Sequence, residues 1–445
     1  MDTEINHMVK RTVVSTKAVE QGKYFPLSVL NHCMENNNIK VVYYYQTSQE
    51  RVVGEITKKL RETLSEMLSY FPIVTGRLIR EDGRGYWKIK CNDAGVRMVE
   101  AIAKGSVEGW LTNVDRKKEL NLVYCDDMIQ KSYYWSTFSV QVTEFEEGGL
   151  AIGLSCTHLL ADPISVTNFI KAWAEISLIG KMIDPPMFNP LPYIRLGNKN
   201  SNHQYSMELI NHYKSLIEKS IPFKKDMYNT VSLCFSDQMV QACISMAQTT
   251  SLSSSIVTPF EALAGLFWVS LSKIKGLRNG LVDMSICVDV RKVLGLDHGF
   301  FGSCMIYNKV HAKGIVGENK IPEAAKTIGD VVAKMDHEGI MDLIEWFENN
   351  DINFSALMNG NDMICASLEG VNPYLAEFEE GFKPIHVSHY IEPVLGEGQV
   401  LILPAPPREG PLSRVVMVTL EKEEAIKLCE DNLISQFSPT ILMKY

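Results

Sequence analysis

The first candidate for chemistry in this chain is His158, which is followed four residues later by Asp162. A neutral imidazole takes a proton from a hydroxyl or an amine and returns it, so a positioned histidine is suited to general base catalysis. The chain has 10 histidines, and only His158 has an aspartate at this spacing. Because the spacing also arises readily by chance, a simpler interpretation stays open, in which a core histidine lies beside a helix-capping aspartate.

A predicted strand and a predicted helix position this pair. Leu150–Thr157 is an apolar run of strand length, bounded by a glycine pair before it and a proline after it, which predicts a buried strand. Asp162 directly precedes that proline and the apolar-periodic segment 164–178, which is a strong signal for the start of a helix. We therefore expect His158 in a short turn between two well-packed elements.

The bulk composition is that of a globular protein and excludes several functions. With 445 residues, of which 46% are hydrophobic and 22% charged, the chain is long enough for two or three domains. The net charge of −9 and the lack of any lysine or arginine block argue against a nucleic-acid partner. The 10 cysteines include no C-x-x-C pair, which favours free buried thiols over a disulfide frame or a zinc site. No ligand cluster accompanies His158 and Asp162, so we expect no metal.

No targeting signal is apparent in the sequence. The segment Met1–Arg11 is polar and lacks the apolar core of a secretion signal. The longest apolar runs are too short to cross a bilayer, so no transmembrane segment is predicted. These features together predict a cytoplasmic protein.

Two other groups of residues have simpler explanations than catalysis. The sequence Gly153-Leu154-Ser155-Cys156-Thr157 fails the G-x-S-x-G pattern of a serine hydrolase at its last position, and a buried strand explains it better. His386 and His389 are interpreted as surface or packing residues rather than a second catalytic pair.

The chain divides into two halves of mixed α/β character. Residues 1–180 form the predicted amino-terminal domain, and residues 223–445 form the carboxy-terminal one. Between them, residues 181–222 contain several prolines and asparagines together with Gly197 and are predicted to be a long irregular connector. No short-period repeat is visible, which argues against a solenoid or a propeller fold.

Motifs spread over most of the chain support a family assignment. They are Leu68-Ser69-Tyr70-Phe71-Pro72 with Gly76-Arg77-Leu78, Cys91-Asn92-Asp93-Ala94-Gly95-Val96, His158-x-x-x-Asp162, Thr258-Pro259-Phe260-Glu261-Ala262-Leu263-Ala264, Asp289-Val290-Arg291, Gly299-Phe300-Phe301-Gly302 and Glu377–Pro384. Each motif is weak alone, but their order and spacing are specific. In this combination the chain resembles the BAHD family of plant acyl-CoA-dependent acyltransferases.

This resemblance implies a fold, a reaction and roles for individual residues. The fold would be two chloramphenicol-acetyltransferase-like domains, each a mixed sheet flanked by helices, with a channel between them. His158 would be the catalytic base in that channel, acting on acyl-CoA as co-substrate and a small alcohol or amine as acceptor, with no permanently bound cofactor. Asp162 would be structural and paired with Arg291. Thr258 would lie near the pantetheine of CoA, although helix capping explains this threonine equally well.

The chain also departs from the family pattern. Family members usually carry Asp-Phe-Gly-Trp-Gly-Lys-Pro late in the chain, whereas this chain has the longer segment Glu377–Pro384 with Glu379 and Glu380. Glycine adopts backbone conformations that glutamate resists, so we expect this loop to be rebuilt. Pro163 also replaces the glycine that commonly follows the motif aspartate.

In these departures the chain resembles the eceriferum/glossy branch of the family. That resemblance implies an accessory partner of the fatty acid elongase at the endoplasmic reticulum, in the elongation of very-long-chain fatty acids for cuticular wax. Transferase catalysis would not be required in that role. The intact His158 motif favours the enzyme, and the altered late loop favours the accessory protein, so both hypotheses stand.

Overall fold

A computed structural model describes residues 5–17, 22–46, 54–80, 85–126, 135–189, 191, 204–218, 228–248, 256–276, 280–312, 320–354 and 362–444. The strands in these ranges are β1 Ile5–Val13, β2 Tyr24–Pro26, β3 Asn38–Tyr45, β4 Arg77–Arg80, β5 Trp87–Lys90, β6 Val96–Ala103, β7 Phe138–Phe145, β8 Leu150–Thr157, β9 Tyr228–Phe235, β10 Met284–Asp289, β11 Met305–Val310, β12 Met363–Ser367, β13 Pro384–Glu392, β14 Gln399–Pro404, β15 Arg414–Glu421 and β16 Thr440–Met443. The helices are α1 Val29–His32, α2 Glu55–Leu68, α3 Val107–Thr112, α4 Arg116–Leu120, α5 Pro163–Ile179, α6 Gln204–Glu218, α7 Asp237–Ala247, α8 Pro259–Ile274, α9 Lys320–Ala333, α10 His337–Asn349, α11 Lys422–Cys429 and α12 Asn432–Ser435.

The chain forms two compact units that are discontinuous in sequence. The first consists of Met1–Leu191, Asp297–Ser303 and Asn372–Glu392, and the second of Pro192–Leu296, Cys304–Val371 and Pro393–Tyr445. Two segments from the second half of the chain therefore belong to the first unit. A division of the chain into consecutive domains does not include them in that unit. The boundaries at 180 and 223 stay a prediction.

The predicted connector contains a regular helix. Within residues 181–222, α6 spans 15 residues and buries Tyr205, Leu209, Tyr213 and Leu216 along one face. This spacing is helical. The interpretation of the whole segment as irregular was therefore wrong for residues 204–218.

The first unit is built on a six-stranded mixed sheet with the order β1-β6-β7-β8-β3-β13. The β6–β7 pair is parallel, and the other neighbouring pairs are antiparallel. β8 has the predicted bounds and is buried along its whole length. β2, β5 and β4 form a separate three-stranded sheet.

Helix α5 follows β8 and packs against α2. It buries Phe169, Ile170 and Trp173, among others, which is the apolar face that the sequence predicts. The indole Nε1 of Trp173 donates to the backbone oxygen of Leu60 in α2 at 3.1 Å. Because α5 is fixed by this core, the turn that precedes it is held at both ends.

The second unit repeats the same architecture with a seven-stranded mixed sheet of order β11-β10-β12-β14-β15-β9-β16. β12 pairs in parallel with β10 and with β14. Helices α8 and α9 pack closely at Gly265, where an added Cβ would lie 2.9 Å from the backbone nitrogen of Ala325. Each unit is thus a mixed sheet flanked by helices, as the resemblance implies. Within the described ranges, no helix has the length and apolar character that a bilayer crossing requires.

Candidate functional site

His158 begins the turn between β8 and α5, and backbone hydrogen bonds hold this turn from several directions. The backbone nitrogen of His158 donates to the oxygen of Asn37 at 2.8 Å. The side-chain amide of Asn31 donates to the backbone oxygen of Leu159 at 2.8 Å, and both asparagines are buried. Sequence reasoning missed these two residues, because Asn37 contacts the turn through its backbone oxygen and Asn31 binds a backbone oxygen of the turn, and no motif encodes either contact.

The imidazole of His158 is buried and has free hydrogen-bonding capacity. The residue is 0% exposed, and neither ring nitrogen has a hydrogen-bond partner among the described residues. Burial lowers the pKa of His158 below its ordinary value, and the negative charge of Asp162 opposes this shift. The ring is therefore neutral near pH 7 and able to accept a proton. A buried polar group without a partner costs about 1–3 kcal/mol, and such groups call for a functional explanation.

Asp162 is the N-cap of α5. Its backbone is extended, and its Oδ1 accepts a hydrogen bond from the backbone nitrogen of Ser165 at 2.9 Å. Pro163 occupies the first turn of the helix, where its missing N–H costs nothing. The aspartate is fully buried, and this arrangement gives it an architectural role.

The segment that ends in Gly302 is hydrogen-bonded to the same turn and to the start of α5. The backbone nitrogen of Asp162 donates to the oxygen of Gly302 at 3.3 Å. Ser165 Oγ donates to that oxygen at 2.9 Å and accepts from the nitrogen of Gly302 at 3.1 Å. The Gly299–Gly302 motif was visible in the sequence, but its contact with Ser165 joins residues 137 positions apart and could not be inferred locally.

Arg291 belongs to the second unit, whereas Asp162 belongs to the first. The guanidinium of Arg291 is buried, and its Nη1 donates to Asp289 Oδ1 at 2.8 Å. The expected pair between Asp162 and Arg291 stays a prediction.

Thr258 caps the start of α8. Its side chain accepts from the backbone nitrogen of Glu261 at 3.3 Å, and Glu261 Oε2 accepts from the backbone nitrogen of Thr258 at 2.8 Å. This reciprocal pair is a capping box. The geometry accounts for Thr258 without a ligand, and its proximity to CoA stays a prediction.

The late loop packs around its aromatic residues. Phe378 and Phe382 are buried and contact Tyr45 at ring-centroid distances of 5.8 and 4.8 Å. The left-handed backbone conformation falls on Gly381, with φ +75°, and not on either neighbouring glutamate. Glu377 Oε1 accepts from the backbone nitrogen of Gly381 at 2.6 Å, which closes the turn.

The other histidine pair is buried and does not lie on the surface, and the strand serine is hydrogen-bonded within the fold. His386 and His389 lie on β13 and are buried, and burial lowers the pKa of His389 to about 3. His386 stacks on Tyr44 at 5.8 Å. Ser155 Oγ donates to the backbone oxygen of Tyr124 at 2.7 Å, so this hydroxyl is used within the fold.

Comparison with known proteins places the chain in a family. A family model described as Transferase family matches residues 3–432. The chain is 24% identical to Protein ECERIFERUM 2 of Arabidopsis thaliana, over 94% of this chain and 96% of that protein. It is 26% identical to rosmarinate synthase of Plectranthus scutellarioides, over 82% of this chain and 84% of that enzyme.

Solved structures share the fold at low sequence identity. Vinorine synthase superposes with a TM-score of 0.70 at 17% identity, covering 95% of this chain and 96% of that one. TRI101 of F. sporotrichioides, solved with coenzyme A and T-2, gives a TM-score of 0.70 at 16% identity, covering 95% of this chain and 100% of that one. With its His158 turn and two mixed-sheet units, the chain belongs to the Transferase family of BAHD acyltransferases.

Proposed function

We propose that this protein transfers an acyl group from acyl-CoA to the hydroxyl or amine of a small acceptor, with His158 as the general base. The observation that carries the proposal is the buried, neutral imidazole with two unpaired nitrogens at a rigid turn. A general base must be unprotonated at working pH and free to take a proton, and this ring meets both conditions. The polar amino terminus and the short apolar runs predict a cytoplasmic protein, so we propose the cytoplasm as the location of this reaction.

The reaction needs one base and no covalent enzyme intermediate. The neutral ring takes the proton of the acceptor O–H or N–H while that atom attacks the thioester carbonyl. The tetrahedral intermediate then collapses, the C–S bond breaks, and the imidazolium returns the proton to the CoA thiolate. Asp162 and Arg291 would support the turn, and Thr258 would lie near the pantetheine.

The acyl-CoA donor and the acceptor types are supported by relatives. TRI101 was solved with coenzyme A, and other relatives are named shikimate O-hydroxycinnamoyltransferase, omega-hydroxypalmitate O-feruloyl transferase and putrescine hydroxycinnamoyltransferase. These names cover both alcohol and amine acceptors. Since His158 is 0% exposed, the proposal also requires a substrate path to the ring, which the family resemblance implies as a channel.

A second candidate function is favoured by the same burial. A catalytic ring must be reached by its substrates, and the ring of His158 has no exposed surface. This burial also fits a protein that has kept the fold of an enzyme but not its reaction. The alignments with ECERIFERUM 2, ECERIFERUM 26 and ECERIFERUM 26-like each cover at least 93% of this chain. The late loop of this chain also carries two glutamates that depart from the family pattern. In this role the protein would assist the fatty acid elongase, at the endoplasmic reticulum, without transferring an acyl group itself.

The experiment compares His158→Ala with His389→Ala, a matched change at a buried histidine of the same unit. Release of free CoA thiol is measured with feruloyl-CoA and with a long-chain acyl-CoA, each against a panel of alcohols and amines. Loss of the base predicts a fall in rate of about 10² to 10⁴ for His158→Ala, whereas His389→Ala, which leaves a cavity of the same kind, should retain most of the rate. The same fall in both variants, or full activity without His158, would contradict the proposal.

The accessory role is tested with the same variant in wax analysis. Plants that lack this protein are complemented with wild type or with His158→Ala, and the chain lengths of the cuticular wax are measured. Normal chain lengths with His158→Ala, together with no CoA release by the wild type, would establish the second candidate. Loss of both readouts in this variant would favour catalysis.

A further inference from the structure

Helix α6 is attached to the sheet of the second unit by polar side chains as well as by its apolar face. Tyr205 Oη donates to Asn308 Oδ1 in β11 at 2.9 Å. Tyr213 Oη accepts from a backbone nitrogen of β11 at 3.0 Å. In a third contact, His212 Nε2 lies 3.1 Å from Ser285 Oγ of β10. The position of α6 therefore depends on three side chains, and one of them is a histidine, which can gain a positive charge as the pH falls.

The hydrogen bonds around Ser285 are satisfied by a neutral His212. Ser285 Oγ donates its single proton to Asp362 Oδ2 at 2.8 Å, because a carboxylate only accepts. The hydroxyl oxygen is then left to accept from the imidazole, so Nε2 of His212 carries a proton. No positive charge on the ring is needed to hold α6 in place.

The surroundings of His212 oppose a positive charge on its ring. The residue is only 5% exposed, and burial disfavours a charged imidazole. The groups with the largest charge effects on it lie on or beside β10, β11 and β12, and they are Asp283, Lys309, His311 and Asp362. Lys309 Nζ lies 3.4 Å from an oxygen of each of the two carboxylates, so their negative charge is already partly compensated.

Helix α10 also packs on α6, where the rings of Tyr213 and Phe347 meet edge to face at 5.3 Å. The charged or titratable residues of α10 are His337, Glu338, Asp342, Glu345 and Glu348. Those of α6 besides its histidine and tyrosines are Glu208, Lys214 and Glu218. None of them belongs to the four groups with the largest charge effects on His212.

The proton affinity of His212 differs between the attached and the released helix. Burial is the largest influence and lowers the pKa of His212 to about 4, with Lys309 and His311 acting in the same direction and the two carboxylates opposing them. A released ring lies in water and has the ordinary pKa of about 6.5. Attachment of α6 is therefore fully favoured above about pH 6.5 and weakens as the pH falls toward 4, because the released helix binds the proton first.

We propose that α6 is an acid-released latch of the second unit. Protonation adds a positive charge to a buried site that already holds Lys309, and α6 then leaves β10 and β11 while the rest of the unit stays folded. Release exposes the apolar face of the helix, including Leu209 and Leu216. The latch lies outside the His158 turn and does not depend on acyl transfer.

The test is hydrogen exchange of the full-length protein, measured by mass spectrometry at pH 7 and pH 5 and normalised to the intrinsic exchange rate at each pH. Opening of α6 should be about twentyfold more frequent at pH 5, as expected for one histidine whose pKa rises from about 4 to about 6.5 on release. The protection of α6 should fall by this factor. Helix α8, in the core of the same unit, is the internal reference and should keep its protection.

Three variants assign the effect to the histidine. His212→Gln keeps a side-chain N–H for Ser285 but does not titrate, so the protection of α6 should no longer depend on pH. Lys309→Met removes a cation that opposes protonation and leaves two carboxylates near the ring, so the pH dependence should become smaller. His337→Gln, at a partly exposed histidine of α10, is the matched control and should keep the dependence of the wild type.

Equal losses of protection in α6 and α8 would overturn the proposal, because they report unfolding of the whole unit. Unchanged protection of α6 at pH 5, or loss of the pH dependence in His337→Gln, would overturn it as well. If His212→Gln already releases α6 at pH 7, the Lys309→Met variant decides. A pH dependence in that variant as large as in the wild type contradicts the role of His212.

Discussion

The His158 turn and the Glu377–Pro384 loop belong to the same unit but are stabilised in different ways. Backbone groups hold the turn, with Asn37 and Gly302 as acceptors for its backbone nitrogens. Buried side chains hold the loop, through the contacts of Phe378 and Phe382 with Tyr45. The turn carries the motif on which the family resemblance rests, whereas the loop departs from the pattern that the resemblance implies.

This difference shows which sequence changes each region tolerates. Backbone hydrogen bonds fix a conformation but set few demands on side chains, so the ring of His158 is not needed to hold the turn. In the loop, Phe378 and Phe382 supply the anchoring, and the two glutamates stand between them. Glu380 is exposed, and Glu379 is half-buried and paired with Lys59.

Removal of the loop's aromatic anchor is expected to have the largest effect on stability. Phe378 is 0% exposed and also packs edge to face on Trp173 at 4.9 Å. Phe378→Ala leaves a cavity in this core and should lower the free energy of unfolding by about 3–5 kcal/mol. Chemical denaturation measures the change. Leu375→Ala, at an exposed residue beside the loop, is the control and should stay within about 0.5 kcal/mol. A small effect of Phe378→Ala would mean that the side chains do not anchor the loop.

The second prediction concerns pH and the turn. Burial lowers the folded-state pKa of His158 below the ordinary value of 6.5, so the unfolded chain binds a proton first as the pH falls. Stability is therefore complete above about pH 6.5 and declines below it, by about 1.4 kcal/mol per pH unit for this one residue, until the lowered pKa is reached.

His158→Gln removes this contribution, so its stability should fall less steeply between pH 7 and pH 5 than that of the wild type. Other buried histidines, such as His212 with its pKa lowered to about 4, contribute a decline of stability with falling pH in both proteins. His7→Gln, at an exposed residue of β1, should reproduce the wild-type slope. Identical slopes for wild type and His158→Gln would show that the ring is not held neutral by burial.

Local features of the site could be predicted from the sequence, and the long-range ones could not. The bounds of β8 and the start of α5 follow from an apolar run, a capping aspartate and a proline, which are all neighbours in the chain. The contact of Ser165 with Gly302 depends on how the fold brings distant segments together. The complete burial of His158 also results from that packing, and no local pattern specifies it.

Helix α6 shows a different limit. Its apolar residues Tyr205, Leu209, Tyr213 and Leu216 have helical spacing, but they follow a segment rich in proline and asparagine. The composition of the neighbouring residues outweighed the periodicity in the prediction.

The sheet of the first unit shows the same limit for strand pairing. Strand β13, from the second half of the chain, pairs with β3 at the edge of this sheet, and chain order does not indicate the pairing.

The third prediction addresses the cap of the turn. Asp162→Ala removes the acceptor for the backbone nitrogen of Ser165 and should cost about 0.5–2 kcal/mol of stability. Asp162→Asn keeps an oxygen in place and should cost less. Denaturation curves of the two variants compare them directly. A loss in Asp162→Asn as large as in Asp162→Ala would show that the charge of Asp162, and not its capping bond, stabilises the site.

The smallest effect is expected at the ion pair between Lys59 and Glu379. The two charged atoms are 3.0 Å apart, but the Lys59 side chain is 42% exposed and solvent weakens the attraction. A double-mutant cycle with Lys59→Met and Glu379→Gln should give a coupling of about 0.2–1 kcal/mol that decreases in high salt. The cycle cancels the separate effects of each substitution, so it serves as its own control. A coupling above about 2 kcal/mol would show that this pair, and not the two phenylalanines, holds the loop. In that case the glutamates that depart from the family pattern would be the stabilising part of the rebuilt loop, because their charge would be needed to keep it closed.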